Sequence, residues 1–263
     1  MEFNMRIDNT GAMISQGCVH KVPRLWSNDE LRRFSKYFSG VVVNVSAWED
    51  KDKQGATYQS YFCNSSEYWV TNYKSDMRGT SGLDNELFLD LESPLPEDLV
   101  NRFDVVFNHT TLEHVFNFHQ AFDNLVAMSK DIVILVVPVM QQVHVVPDPE
   151  SEYNSEYGDF WRFTPQAIER LLTQRGMSIC YMSFNTHRNA SVYAFCIATK
   201  NPDKWRDKFP MAYSHVDQSA VGYLKQPWAG CNAFRYHPVI ERLFVNGQRA
   251  GSYLRAVYRR LFG

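Results

Sequence analysis

Short apolar runs rich in β-branched residues recur along the first 200 residues, and segments with helical periodicity separate them. The clearest run, VVVNV at 41–45, has the composition of a strand buried on both faces. The further runs predicted as strands are 68–71, 87–89, 103–107, 132–137, 178–184 and 191–199. Strands that alternate with helices predict an α/β chain with a doubly wound, mainly parallel seven-stranded sheet.

Three helices are predicted around these strands. Ser27 and Glu30 have the spacing of a capping box, which predicts that the first helix begins at Ser27. Apolar residues at helical spacing predict a second helix over 118–126. Thr164 and Pro165 suit the N-cap and the first turn of a third. Parallel sheets of this kind bind ligands beyond the carboxyl ends of their strands, so the candidate site is expected there.

Composition excludes several classes of protein. The net charge of −2 gives no bulk attraction to nucleic acid. The five cysteines are scattered without a CxxC pair, which predicts a reducing compartment and no zinc site. The longest apolar run, 132–139, is too short to span a membrane, and the N-terminus lacks the pattern of a signal peptide. The sequence therefore predicts a soluble, cytoplasmic protein.

The strand and helix pattern stops near residue 200. Residues 1–200 are predicted to form one domain with a helical lead-in over 1–40, and residues 201–263 an appendage packed on it. A last helix is predicted from Ser252, with an apolar side and three arginines. The alternatives are a helix docked on the domain and a weak, reversible contact with an anionic membrane surface at the inner membrane face.

The segment FDVVFNHTTLEHV at 103–115 resembles the fourth-strand motif of class I S-adenosylmethionine-dependent methyltransferases, in which FDxV leads into a loop ending LEHV. The neighbouring segments match in order: LFLD at 87–90 resembles the third strand with its acid, and 131–138 the fifth strand with its proline. His144 with DFWRFT at 159–164 is similar to the H…DxWRFT pattern of the type 11-like, sugar-modifying branch. The resemblance spans about 41–200 and implies the Rossmann-like methyltransferase fold.

The resemblance implies that S-adenosylmethionine binds at the carboxyl ends of the first strands, leaving S-adenosylhomocysteine as product. The cofactor-binding residues it implies are Asn44, Ser46, Ala47, Trp48, Asn72, Asp90, Leu91, Asn108 and His109. Asp90 is expected to accept a hydrogen bond from the adenine amino group, or else to cap the turn before Pro94. The family's glycine-rich first motif is here NVSAWE at 44–49, and Asn72 stands at the position of the ribose-binding acid.

Three histidines in strand-end loops are candidates for the catalytic base, since an ordinary histidine pKa suits proton transfer near neutral pH: His144 first, then His114 and His109. The acidic, aromatic segment 147–161 is expected to form a solvated lid. The substrate-binding residues expected there and beside it are Tyr157, Asp159, Trp161 and Arg162. Arg162 is expected to pair either with Asp159 or with a carboxylate of the acceptor.

Related ubiquinone O-methyltransferases bind a divalent metal through acids around the LEHV motif. Glu113 and His114 remain here, but Thr110 stands where another acid is expected, so no metal is predicted. The sequence thus favours an O-methyltransferase acting on a sugar hydroxyl of a bacterial surface glycan. A methyltransferase of a small metabolite and a catalytically inactive binding or scaffold protein remain the alternatives, the latter because the first motif lacks glycine.

Overall fold

The computed structural model describes residues 21–73, 82–141, 158–185 and 190–209, and the backbone of two short strands that pair antiparallel, β1 (Met5–Ile7) and β2 (Met13–Ser15). The main sheet consists of β3 (Gly40–Val45), β4 (Ser65–Asn72), β5 (Glu86–Phe88), β6 (Phe103–His109), β7 (Ser129–Met140), β8 (Ser178–Phe184) and β9 (Val192–Thr199). The helices are α1 (Val22–Ser35), α2 (Phe118–Met128), α3 (Pro165–Thr173) and the short α4 (Pro202–Trp205).

The strand order of the main sheet is β5-β4-β3-β6-β7-β9-β8. The five strands β5, β4, β3, β6 and β7 run parallel to one another, whereas β9 runs antiparallel to both β7 and β8. The chain moves outward from β3 to β5, returns to place β6 beside β3, and then moves outward the other way. This order confirms the predicted Rossmann-like methyltransferase fold and puts its topological switch point between β3 and β6.

Helices and loops cover both faces of the sheet, which explains why its strands are apolar without alternation. Val43 packs in the cluster that α2 and α3 form on one face, and its neighbour Val42 packs with α1 on the other. On the α1 face the connection from β3 to β4, which is described throughout, has a 3₁₀ helix (Tyr58–Tyr61) and an isolated bridge between Lys51 and Thr57 as its regular structure. Buried polar contacts therefore have to hold this connection in place.

The predicted capping box at Ser27 is wrong. Helix α1 begins five residues earlier, at Val22, and Pro23 lies in its first turn. Ser27 is buried inside the helix, and its hydroxyl donates to the carbonyl oxygen of Arg24 (3.0 Å). The Glu30 carboxylate accepts hydrogen bonds from strand β8 instead of reaching back to a helix start. The proline was the better signal for the start of this helix.

Gly40 starts β3 in the left-handed region, at φ +86°, and a Cβ there would collide with the Asp104 carboxylate. Gly176 has a similar φ of +76° but open space around it. Gly176→Ala should therefore lower the free energy of unfolding by about 1–2 kcal/mol from backbone strain alone. Gly40→Ala should cost about 1 kcal/mol more, since the added methyl group also overpacks. Urea denaturation measures both, and equal losses would show that Asp104 moves aside without cost.

Residues 201–209 pack against the sheet domain through Trp205, whose indole N–H donates to the Asp131 carboxylate (3.0 Å) and whose ring lies 5.5 Å from that of Phe38. The rest of the predicted appendage, including the helix from Ser252, lies outside the described residues, so its docking and its membrane contact stay predictions. Among the helices that the structure describes, none has the length and apolar character needed to cross a bilayer.

Candidate active site

The loop that follows β3 lies at the switch point and has an unusual backbone. Ser46, Trp48 and Asp50 all adopt left-handed conformations, with φ of 58°, 52° and 55°. Such conformations cost an L-residue about 1–2 kcal/mol each, so contacts around the loop must hold them. The backbone N–H of Ser46 donates to the Thr71 hydroxyl (3.1 Å), and that of Trp48 donates to the Asn72 side chain (2.6 Å). The loop thus has the backbone conformation that glycine favours, built without glycine.

Asp50 holds the same loop from inside the protein. Its buried carboxylate accepts hydrogen bonds from the Asn44 amide (2.8 Å), the Tyr68 hydroxyl (2.7 Å) and the backbone N–H of Gln59 (2.9 Å). Burial raises the pKa of Asp50, although these hydrogen bonds act in the opposite direction. Asn44, predicted to bind cofactor, therefore supports the loop from beneath.

Asn72, predicted at the ribose position, braces the loop as well. Its amide nitrogen donates to the Trp48 carbonyl oxygen (3.2 Å) and to the Glu86 carboxylate, so both N–H groups are used. Ala47 is packed against the α1-face cluster, and its backbone N–H donates to the carbonyl oxygen of Thr71 (3.0 Å). Both residues shape the loop through their contacts within the protein.

Asp90 follows β5 and caps a turn. Its two carboxylate oxygens accept from the backbone N–H of Glu92 (2.9 Å) and from the Ser93 hydroxyl (2.7 Å), as in the capping alternative. Each oxygen keeps a further lone pair for a ligand. The neighbouring Leu91 is buried in the core, and its carbonyl oxygen accepts from Asn124 (3.1 Å).

In the described part of the chain, two buried side-chain oxygens have no hydrogen-bond partner: Oδ1 of Asn108 and Oε2 of Glu113. Asn108 is the next-to-last residue of β6 and pairs with Val45 of β3, and its amide nitrogen donates to the Val45 carbonyl oxygen (3.1 Å). A buried acceptor without a hydrogen bond destabilises the folded protein by about 1–3 kcal/mol. A ligand that donates a hydrogen bond to either oxygen would remove this cost. One oxygen lies at the switch point, and the other lies in the turn that follows the same strand.

Glu113 lies in the short 3₁₀ turn Leu112–His114, and its side chain is 1% exposed. Burial raises the pKa of Glu113 to about 7, against the opposing positive charges of Arg24 and Arg162. Its Oε1 atom lies 3.9 Å from Nε2 of His114. The site therefore contains a carboxyl group able to exchange a proton near neutral pH.

His109 joins β6 to α1. Its Nε2 atom lies 2.9 Å from the Ser27 hydroxyl, and its Nδ1 atom 3.1 Å from the Thr110 hydroxyl. Burial, together with the positive charge of Arg24, holds the pKa of His109 well below its usual value. The imidazole is therefore neutral with both nitrogens engaged, which suits a positioning role better than that of a base.

The segment 158–163 is bound to the turn of Glu113. The backbone N–H groups of Phe160 and Trp161 donate to the Glu113 carbonyl oxygen (2.8 and 3.2 Å), and His114 Nδ1 bonds the Gly158 carbonyl oxygen (2.7 Å). The Trp161 indole N–H donates to the carbonyl oxygens of Val115 and Phe116 (3.0 and 3.1 Å), the two residues that follow this turn. A side chain at position 158 would collide with the ring of Phe160, which explains the glycine there.

Arg162 pairs with Asp159, the first of the two alternatives drawn from the sequence. The pair is bidentate, with both N···O distances at 2.5 Å, and the Asp159 side chain is buried. A third contact runs from Arg162 Nε to the Gln141 carbonyl oxygen (3.0 Å). The pair with Asp159 therefore stiffens the segment 158–163, and the contact with Gln141 attaches this segment to the residue that follows β7.

Two predicted site residues, His144 and Tyr157, lie outside the described residues, as does most of the predicted lid. The described part of the chain contains no group of three or more side chains that could hold a metal ion. Sequence reasoning missed the structural role of Asp50 and the proximity of Arg24 to this site. The left-handed backbone of the β3 loop could not be predicted either, because it occurs here at residues that do not favour it.

The pKa of Glu113 predicts a pH effect on stability. Its folded value of about 7 exceeds the ordinary 4.5, so between these values the folded protein keeps a proton that the unfolded chain releases. The resulting stabilisation is complete below the ordinary pKa and is lost as the pH rises through the folded pKa. From about pH 5 to about pH 8, the free energy of unfolding of the wild type should therefore fall relative to that of Glu113→Gln, as measured by urea denaturation. An unchanged difference would mean that Glu113 titrates normally.

No protein-family model matches the sequence, and the search of curated proteins gave no match. Solved methyltransferase structures resemble the chain at low identity. An S-adenosylmethionine-dependent methyltransferase from Methanosarcina mazei is 13% identical, with a TM-score of 0.45 over 61% of this chain and 92% of that one. The 1,6-didemethyltoxoflavin-N1-methyltransferase of Burkholderia thailandensis is 12% identical, with a TM-score of 0.45 over 70% and 84%. The magnesium protoporphyrin IX methyltransferase of Synechocystis is 12% identical, with a TM-score of 0.40 over 70% and 79%. The fold assignment itself rests on the strand order of the sheet.

Proposed function

We propose that this chain is an S-adenosylmethionine-dependent methyltransferase whose cofactor binds at the switch point between β3 and β6. The observation that carries the proposal is the unpartnered Oδ1 atom of Asn108, buried beside Val45 at that point of the sheet. Ligands of doubly wound sheets bind at such points, and the cofactor's ammonium group offers the N–H donors that this oxygen lacks.

The residues around Asn108 fit the other parts of the cofactor. The left-handed loop from Ser46 to Asp50 forms one side of the site, and Asp90 keeps free lone pairs for an adenine amino group. Asn72 acts by holding Trp48 in place, with its remaining acceptor capacity open to a ribose hydroxyl. The bound cofactor would supply an electrophilic methyl group on a sulfonium, and the protein would align the acceptor with it.

For the acceptor we propose a hydroxyl group of a carbohydrate, such as a sugar of a bacterial surface glycan. Phe116 and Phe160 support this choice: their rings are 63% and 45% exposed and lie 5.2 Å apart beside the turn of Glu113. Exposed rings offer flat apolar surfaces to the C–H face of a sugar. The proposed partner is thus a small-molecule or glycan acceptor in the cytoplasm, with no role for nucleic acid.

One observation favours a second candidate, an inactive methyltransferase-like binding protein. At the ribose position an asparagine, Asn72, replaces the family's acid, and its two amide N–H groups donate to Trp48 and Glu86 and not to a ligand. Mass spectrometry of the purified protein for bound S-adenosylhomocysteine separates the two candidates.

Titration calorimetry with S-adenosylmethionine tests the proposed function. We expect micromolar binding, and Asp90→Ala should weaken it by about 1.5–3 kcal/mol, the value of a hydrogen bond to a charged group. Asp98→Ala is a matched control, because Asp98 is exposed and precedes β6 at the opposite edge of the sheet. If the wild type binds neither S-adenosylmethionine nor S-adenosylhomocysteine, the proposed function is wrong.

A further inference from the structure

The second unpartnered oxygen, Oε2 of Glu113, is not explained by cofactor binding through Asn108. Glu113 is buried, yet the structure gives this oxygen no hydrogen-bond donor, while Oε1 lies near His114. The backbone of Glu113 is fixed by two hydrogen bonds from Phe160 and Trp161, so the carboxyl group is held in a defined place. A positioned carboxylate with one open oxygen is suited to accept a proton from a ligand.

The hydrogen bonds of His114 indicate where that proton could go next. Nδ1 of His114 lies 2.7 Å from the Gly158 carbonyl oxygen, and only a protonated nitrogen can donate to a carbonyl. In the neutral ring Nε2 then carries a lone pair, and this atom lies 3.9 Å from Oε1 of Glu113. The two side chains therefore lie next to each other: Glu113 is buried, and His114 is partly exposed to solvent.

We propose that Glu113 is the catalytic base of the methyl transfer and that His114 carries the proton away from it. This inference rests on the proposed function and replaces the sequence-based preference for His144. The proton of the acceptor hydroxyl passes to Oε2 of Glu113, while the hydroxyl oxygen forms its new bond to the methyl carbon. The carbon–sulfur bond breaks with its electron pair on sulfur, so the positive sulfonium and the negative carboxylate both end neutral. The protonated carboxyl group of Glu113 then turns to present this proton to Nε2 of His114. The imidazolium formed there releases one proton to solvent, so that the Glu113 carboxylate and the neutral His114 ring are both restored.

The charges around Glu113 are compatible with this cycle. Arg24 on α1 and Arg162 on the segment 158–163 favour the ionised form, whereas burial and the negative charge of Asp159 favour the protonated form. Their balance gives Glu113 a pKa of about 7, so both forms are accessible near neutral pH. His109 cannot compete for this role while both its ring nitrogens are engaged by Ser27 and Thr110.

Cofactor binding tests the inference without knowledge of the acceptor. A carboxylate beside the reacting methyl group attracts the positive sulfonium of S-adenosylmethionine but not the neutral sulfur of S-adenosylhomocysteine. Calorimetry gives the affinity for S-adenosylmethionine divided by the affinity for S-adenosylhomocysteine. This ratio should rise about 10-fold between about pH 6 and pH 8, because Glu113 ionises over that range. The ratio should be independent of pH in Glu113→Gln. Glu97→Gln, an exposed glutamate at the opposite edge of the sheet, should behave like the wild type.

Each outcome distinguishes the two proposals. Binding of both ligands with a pH-independent ratio in the wild type overturns the role of Glu113 and leaves the proposed function standing. A rise that persists in Glu113→Gln but disappears in His144→Ala assigns the base to His144. Failure to bind either ligand overturns both proposals.

If Glu113→Gln does not fold, infrared difference spectra of the wild type at about pH 7 test the inference instead. Binding of S-adenosylmethionine should remove the band of a protonated carboxyl group, whereas binding of S-adenosylhomocysteine should leave it. Retention of that band with both ligands contradicts the inference.

Discussion

Asp50→Ala is expected to lower the free energy of unfolding by about 3 kcal/mol or more, the largest effect on stability that the site predicts. The substitution removes the acceptor of three hydrogen bonds, from Asn44, Tyr68 and the backbone of Gln59. Each buried donor left without a partner costs about 1–3 kcal/mol, and the truncated side chain leaves space in a buried region. The connection from β3 to β4 depends on these contacts because its regular structure is limited to the short 3₁₀ helix Tyr58–Tyr61 and one isolated bridge between Lys51 and Thr57.

Urea denaturation of two further variants shows whether this interpretation of Asp50 is correct. Tyr68→Phe removes one of the three donors and should cost about 1 kcal/mol. Glu49→Ala removes an exposed neighbouring carboxylate that forms a surface pair with Lys51 (2.9 Å), and should cost about 0.5 kcal/mol or less. If Asp50→Ala were as mild as Glu49→Ala, the polar network would not be what holds the loop.

Asn108→Ala is expected to weaken S-adenosylmethionine binding by about 10-fold to 150-fold, the effect of losing a hydrogen bond to a charged group at the switch point. Removing the amide deletes both the open Oδ1 atom and the hydrogen bond to the Val45 carbonyl oxygen. Oδ1 of Asn108 has no partner within the protein, so losing this atom should cost little stability. The loss of affinity should therefore exceed what the loss of stability explains.

Thr199→Val is the matched control for Asn108→Ala. Thr199 is equally buried and bonds Asp131, but it lies where β9 pairs with the start of β7, at the opposite edge of the sheet. We expect this variant to lose stability and to keep its affinity for the cofactor, as measured by calorimetry. Equal affinity losses in the two variants would indicate a general effect of destabilisation, and unchanged affinity in Asn108→Ala would remove Asn108 from the site.

The fold could be predicted from the sequence because its strands are buried on both faces. The run at 41–45 lies within β3 (Gly40–Val45), and the strand predicted at 178–184 matches β8 without error. Thr164 caps α3 as predicted, accepting a hydrogen bond from the backbone N–H of Ala167 (3.2 Å). In each case the local pattern and the tertiary environment favour the same structure.

The start of α1 could not be predicted in the same way. Ser27 and Glu30 have the spacing of a capping box, but both side chains make contacts with the sheet, Ser27 with His109 and Glu30 with Tyr181. Those partners are 82 and 151 residues away in sequence, so no local pattern reveals them. Tertiary contacts thus overrode a local signal.

The sequence predicted at which edge of the sheet several candidate residues meet, but not their contacts. The resemblance led to Asn108, Asp90 and the β3 loop, which the fold brings to the same edge of the sheet. Which oxygens of Asn108 and Glu113 remain open depends on neighbours in three dimensions, and spacing carries no information on that. The same is true of the raised pKa of Glu113, since burial is its main cause.

A structure of the protein with bound S-adenosylhomocysteine tests the central claim most directly. The account predicts density beside the loop from Ser46 to Asp50, with the ligand's ammonium group within hydrogen-bond distance of Asn108 Oδ1 and its sulfur facing Glu113. Density elsewhere on the protein, or at this edge with Asn108 Oδ1 still unpaired, would contradict it.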